Sequence, residues 1–173
     1  MAGLLPPLVL MTDDERLPDP IAAARALPRG SMVVVRSRNA ARRAEIAHRL
    51  PKNLIVLIAN DPELAAACGA DGLHLPETRA GEAAHWRARF PRWLITAATH
   101  TPRGANPHVD ALFLSPIFPT ASHPGAASLN AARANRIARA SQTPLYALGG
   151  ITPANARLLH GFVGIAAIGA LSA

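Results

Sequence analysis

The residues best suited to chemistry cluster where short apolar runs end. In chain order these positions hold Thr12-Asp13, Arg36 with Arg38, Asn60-Asp61, His74 with Glu77, Thr99-His100, Ser115 to His123, Gly149-Gly150 and Gly169. Guanidinium groups, hydroxyls, amides and glycines hold phosphate by charge, by bidentate hydrogen bonds and through close-approaching backbone N–H groups. The sharpest local pattern is Leu148–Asn155, LGGITPAN, in which Thr152 can cap a helix that Pro153 opens. Two glycines before a helix N-terminus can admit a phosphate to the backbone, or can simply form a tight turn. Ala167–Ala170 offers a second turn of small residues. The segment Ser115–Gly125, SPIFPTASHPG, carries three hydroxyls, one histidine and three prolines. Such a stiff loop beside a strand end reads either as a rigid turn or as a lid.

These groups need elements to position them. Eight apolar runs lack polar alternation: Leu8–Thr12, Met32–Arg36, Leu54–Ala59, Gly72–Leu75, Leu94–Thr99, Ala111–Ile117, Leu145–Gly149 and Gly164–Ile168. That is the pattern of strands buried on both faces of a parallel sheet. Helical stretches are expected over Ala40–Leu50, Pro62–Ala67, Gly81–Arg89, Ala131–Ala140 and Pro153–Leu159. Strands interleaved with helices imply an α/β fold, and the count of eight matches a (β/α)8 TIM barrel whose active face is the C-terminal one. A doubly wound open sheet is the structural alternative. The barrel is expected to be reduced. His100–Asp110, between the fifth and sixth runs, has little room for a helix, and the sequence ends soon after the eighth run. Missing outer helices would bare apolar strand surface, so a homo-oligomer is expected.

The 173 residues suit one domain, 1–173, with a single sizeable core. Half the residues are apolar and 17% are charged, which excludes a disordered chain. Cys68 is the only cysteine, so an intrachain disulfide is excluded, and a reducing, cytoplasmic location is expected. No apolar stretch approaches the ~20 residues that span a bilayer, so no membrane association is expected. The net charge of +7 invites an acidic partner. The arginines are spread along helical faces without interleaved aromatics, which favours an anionic small molecule and argues against nucleic acid.

Asn60–Leu75 (NDPELAAACGADGLHL), Thr96–His100 (TAATH), Leu112–Gly125 (LFLSPIFPTASHPG) and Leu145–Ala156 (LYALGGITPANA) together resemble, in the same order, the blocks of thiamine phosphate synthase and the related thiazole tautomerase. The resemblance runs from about Leu8 to Leu171. It implies a barrel transferase of thiamine biosynthesis that joins hydroxymethylpyrimidine pyrophosphate to thiazole phosphate and releases pyrophosphate. The family's Gln-x-Arg-x-Lys motif falls on Val34, Arg36 and Arg38. Its lysine on the pyrophosphate falls on His123, so the implied catalytic set is Arg36, Arg38 and His123. Asn60, Thr120, Ser122, Gly149, Gly150 and Gly169 fall on substrate-binding positions, and His100 on the pyrimidine end of the pocket.

The resemblance also implies Mg2+, with Asp61 as a ligand. The second magnesium-binding aspartate is replaced by Arg79, so the expected carboxylate pair is reduced to one, and Arg79 is expected to place permanent positive charge by the leaving pyrophosphate. Val34 replaces the glutamine on the pyrimidine, and Ala98 a serine. Three readings therefore stand: an active synthase, a catalytically degenerate binder of thiazole phosphate or related esters, and a thiazole tautomerase-like enzyme. The tautomerase's catalytic histidine would sit near Pro116, and His123 lies seven residues further on. His74 reads as a hydrogen-bonded structural histidine, Cys68 as a core residue, and Trp86 and Trp93 as cover for the barrel's outside.

Overall fold

A computed structural model of the chain describes residues 5–102, 104–120 and 127–168. Eight parallel strands close into a barrel in sequence order: β1 Leu8–Met11, β2 Met32–Val35, β3 Ile55–Ala59, β4 Gly72–Leu75, β5 Leu94–Thr99, β6 Ala111–Leu114, β7 Leu145–Leu148 and β8 Gly164–Ala167. Closure runs through β1 and β8, with Val9 opposite Ala166. The expected barrel is therefore present and the open sheet is excluded. Each strand coincides with an apolar run because both of its faces are buried.

Two apolar clusters follow from the alternation along each strand. One joins Leu10, Val33, Val35, Ile58, Leu73, Ile95 and Leu114 to helix residues such as Ile46 and Trp86, and it is the layer between barrel and helices. The other contains strand residues alone, among them Val9, Met11, Met32, Val34, Leu57, Phe113, Tyr146 and Ala166, and it fills the lumen. Polar groups inside the lumen are paired. His74, on β4, shares a 2.9 Å hydrogen bond with Thr96 Oγ1 and packs edge-on against Phe113. Burial pushes its imidazole down to about 4, so it is neutral at pH 7. Tyr146 donates its hydroxyl to the Pro6 carbonyl at 2.8 Å, and burial raises the phenol above its usual range.

The helices are α1 Ile21–Ala26, α2 Ala40–Arg49, α3 Pro62–Ala67, α4 Ala83–Arg89, α5 Ala131–Ala140 and α6 Pro153–Ala156. A 3₁₀ turn, Glu77–Glu82, leads into α4. Asn39, Asp61, Asn130 and Thr152 cap α2, α3, α5 and α6 through their side chains. Helix α1 was not apparent in the sequence, and α6 stops three residues short of the expected Leu159.

The described part of 100–110 forms no helix, as expected, but β5 and β6 are not bared by it. Ile95, Ala97, Leu112 and Leu114 are all buried, at most 8% exposed. Asp110 closes this flank: its Oδ2 accepts from the Ile95 N–H at 2.7 Å and from Arg87 Nη2 at 2.5 Å. Buried Val109 completes the cover. The flank thus supplies no exposed apolar face, which removes the argument from it for self-association. The expected absence of a closing helix after β8 concerns residues 169–173, outside the described residues. No helix among those described is long and apolar enough to cross a membrane.

Candidate active site

The C-terminal ends of β1, β2, β5, β6, β7 and β8 surround a cavity of ≈650 Å3, a volume suited to a small-molecule site. Its floor is apolar, from Met11, Leu148, Ala166 and Ile168. Its polar wall holds Arg16, Arg36, His100, Ser115, Thr120, Gly149 and Gly150, with no carboxylate among the described residues.

Arg36 is set by its own backbone. Thr12, at the end of β1, accepts the Arg36 N–H and donates to the Arg36 carbonyl, both at 2.8 Å. The Arg36 guanidinium then meets Asp13 Oδ2 at 2.7 Å, and Arg16 reaches the same oxygen at 2.9 Å. Hydrogen bonds from Arg16 and then Arg36 hold the Asp13 carboxyl well below the usual carboxylate range against the opposing effect of burial, so the group is an anion between two cations. Arg16 was not singled out from sequence. It is brought to the cavity by a turn in which the Leu17 N–H donates to the Asp13 carbonyl at 3.1 Å.

Gly149 and Gly150 sit at φ 94° and 66°, in the left-handed region. The space a Cβ would take is filled by protein: at Gly150 it would stand 2.4 Å from the Pro119 carbonyl oxygen, and at Gly149 3.0 Å from Pro116 Cα. The glycines therefore serve first to let Ser115–Thr120 lie against the end of β7, where Ile117 and Phe118 donate to the Leu148 and Gly149 carbonyls at 3.0 and 3.1 Å. Among the described residues the N–H groups of Gly150 and Ile151 meet no acceptor. In α6 the capping box engages the N–H groups of Thr152 and Asn155, and no α6 residue borders the cavity. The donors beside the cavity are thus those of the glycine turn, not of the helix.

His100 also borders the cavity, its Nδ1 2.7 Å from the Ser115 carbonyl and its backbone N–H on Glu77 Oε1. Pro116 lies on the lining and brings no proton-transfer group to that point.

Four expected residues lie off this lining. Arg38 borders a neighbouring hollow of ≈460 Å3 with Asp13, Asp14 and Glu15, and its N–H donates to Asp14 Oδ2. Asn60, at φ 59°, accepts from Arg79 Nη1 at 2.5 Å. Arg79 also grips Glu82 through two bonds, Nε to Oε1 at 2.7 Å and Nη2 to Oε2 at 2.6 Å. Asp61 caps α3 through the Leu64 N–H and pairs with Arg43 at 2.6 Å. Burial pushes its carboxyl up, but the Arg43 and Leu64 hydrogen bonds outweigh that and lower it. Both Asp61 oxygens are thereby engaged, and the nearest aligned partner is a cation, so these residues do not fit a Mg2+ ion. Ser122, His123 and Gly169 lie outside the described residues. Val34 is buried in the lumen core. Cys68 is packed against the outer core, where burial raises its thiol.

The thiamine monophosphate synthase family model matches residues 8–171, nearly the whole barrel. The chain belongs to the thiamine monophosphate synthase family. It is 36% identical over 129 residues to the thiamine-phosphate synthase of Albidiferax ferrireducens, covering 69% of this chain and 58% of that one. It is 32% identical over 145 residues to that of Gloeobacter violaceus, covering 78% and 42%. The chain thus spans about half the length of these curated relatives. Among solved structures, a thiamine phosphate pyrophosphorylase from Pyrococcus furiosus superposes with a TM-score of 0.75 over 96% of this chain and 87% of that one. At 22% identity, that likeness speaks for the barrel fold alone.

Proposed function

We propose that this chain joins hydroxymethylpyrimidine pyrophosphate to thiazole phosphate and releases pyrophosphate, as a transferase of thiamine biosynthesis. The observation that carries the reading is the gathering of Arg36, Thr120, Gly149 and Gly150 around one cavity at the mouth of a barrel of this family. In the reaction the C–O bond to pyrophosphate breaks and the pyrophosphate leaves with the electron pair. The thiazole nitrogen closes the new C–N bond on the cation-like methylene, and no proton needs to be removed. The protein has to position two anions and stabilise the leaving group. Arg36 takes charge developing on the pyrophosphate, while Thr120 and the N–H groups of Gly150 and Ile151 hold the thiazole phosphate. Met11, Leu148 and Ile168 keep water from the cationic carbon. Mg2+ would shield the phosphates if bound, but no step is assigned to it because Asp61 is committed to Arg43. The reading implies small phosphorylated partners and a cytoplasmic setting. Incubation of the purified chain with both substrates and magnesium should yield thiamine phosphate; absence of product across pH and metal conditions would refute it.

One observation favours a second reading, a non-catalytic binder of thiazole phosphate. Arg38 and Arg79, which the resemblance puts by the pyrophosphate, Asp61, which it puts on magnesium, and Asn60, which it puts on substrate, all stand off the cavity lining. Calorimetry with each substrate separately discriminates, because a binder accepts thiazole phosphate and ignores the pyrimidine pyrophosphate.

A further inference from the structure

We propose that this chain holds the pyrophosphate group by fixed guanidinium charge, Arg16 and Arg36 bridged by Asp13, without a divalent cation. The inference rests on the synthase reading for its ligand and adds the chemistry by which that ligand is held.

Magnesium on a diphosphate is usually held through one or two protein carboxylates together with the substrate phosphates. Among the described residues the cavity lining contains no carboxylate. The acidic side chains after β3 and β4 carry partners, while Asp14 and Glu15 border the neighbouring hollow with Arg16, Arg36 and Arg38. Asp61 binds Arg43 and the Leu64 N–H. Glu82 takes two hydrogen bonds from Arg79. Glu77 accepts from Thr99 and from the His100 N–H.

Positive charge is supplied instead after the neighbouring strands β1 and β2. Arg16 and Arg36 both line the cavity, and both donate to Asp13 Oδ2. Arg16 and Arg36 are thus two cations on one anion, with Arg38, Asp14 and Glu15 in the neighbouring hollow. The shared carboxylate fixes where the two guanidiniums stand, and Thr12 fixes the backbone of Arg36. A pre-placed planar donor fork suits a phosphate oxygen pair better than a mobile ammonium does. Arg79, the cation that replaces an expected carboxylate in sequence, contributes by keeping Asn60 and Glu82 occupied, and does not itself reach the lining.

The test is calorimetric titration of the full chain with inorganic pyrophosphate in EDTA and again in magnesium. Binding in EDTA, within about threefold of that in magnesium, supports the proposal. Arg16→Gln and Arg36→Gln should each weaken it about 10-fold to 100-fold, the span expected for losing a charge-assisted hydrogen bond. Arg16→Lys, which keeps the charge, should fall between Arg16→Gln and the parent. Binding that appears only with magnesium, or in neither buffer, overturns it, and this comparison needs no variant to fold. A product assay separates the two claims. Thiamine phosphate formed strictly with magnesium leaves the synthase reading standing and removes this one. Pyrophosphate bound in EDTA with no product under any condition does the reverse.

Discussion

Replacing Gly150 by alanine should damage the site from beneath. At φ 66° an alanine meets the left-handed region, which costs about 1–2 kcal/mol. The new Cβ would also stand 2.4 Å from the Pro119 carbonyl oxygen and 2.8 Å from Phe118 Cβ, distances that real Cβ atoms do not show. Backbone must therefore move, and the moving part is Ser115–Thr120. Its two hydrogen bonds to the Leu148 and Gly149 carbonyls are at risk, at about 1 kcal/mol each. The total is about 3–4 kcal/mol, or roughly 10 °C in Tm for a chain of this size at about 2–4 °C per kcal/mol. Gly30→Ala is the control: Gly30 has φ 79° but open space where the Cβ would go, so it reports strain alone. It should lose only about 3–6 °C. Because Thr120 moves with the loop, Gly150→Ala should also lose about 100-fold in thiazole-phosphate binding or turnover, the scale of a 1 Å misplacement. Differential scanning fluorimetry and calorimetry on both variants decide the matter. A Gly150→Ala chain as stable as Gly30→Ala, with ligand binding intact, would refute the view that these glycines exist to seat the loop.

Three other outcomes can be checked. His74 titrates near 4 in the fold and near 6.5 when unfolded, so the unfolded chain takes up the proton first. Stability should therefore fall as pH drops from 6.5 to 4, by up to about 3 kcal/mol. Urea melts across that window should show the slope, and His74→Gln should flatten it. Asp61→Ala removes the α3 cap and strands the partly buried Arg43, costing about 2 kcal/mol with no selective loss of magnesium response; denaturant midpoints with and without magnesium test both halves. Tyr146→Phe leaves the Pro6 carbonyl unmatched in the lumen and should cost about 1–3 kcal/mol, read from the same melts.

The strands were legible because burial on both faces leaves uninterrupted apolar runs, and Ile55–Ala59 or Leu145–Leu148 can hardly be anything else in an α/β chain. Helix α1 was hidden by the prolines around it: Pro18, Pro20 and Pro28 read as loop, yet Asp19 accepts the Ile21 N–H and starts a short helix between them. Arg36, His100, Thr120, Gly149 and Gly150 border one cavity because they follow strands, and a closed parallel barrel brings those points together. Position after a strand does not say which way a long side chain is drawn. Arg79 is taken up by Glu82 at i,i+3 within the turn Glu77–Glu82, which the sequence reading did not place, and Asp61 by Arg43 from the preceding helix, a pairing with no period that a single sequence displays. Arg16 was missed for the complementary reason. Its approach depends on the chain doubling back at Asp13–Leu17, where an acidic run gives no sign of a cavity wall.

The fastening of the β5–β6 return by Asp110 also marks where this barrel will accept foreign sequence. Ile95 and Arg87 grip the chain at its last residue, and Asn106 Nδ2 holds the Ala80 carbonyl at 3.2 Å, so the anchors lie downstream of exposed Gly104. A reporter peptide or new chain ends grafted next to Gly104 would leave those anchors and the strand register intact.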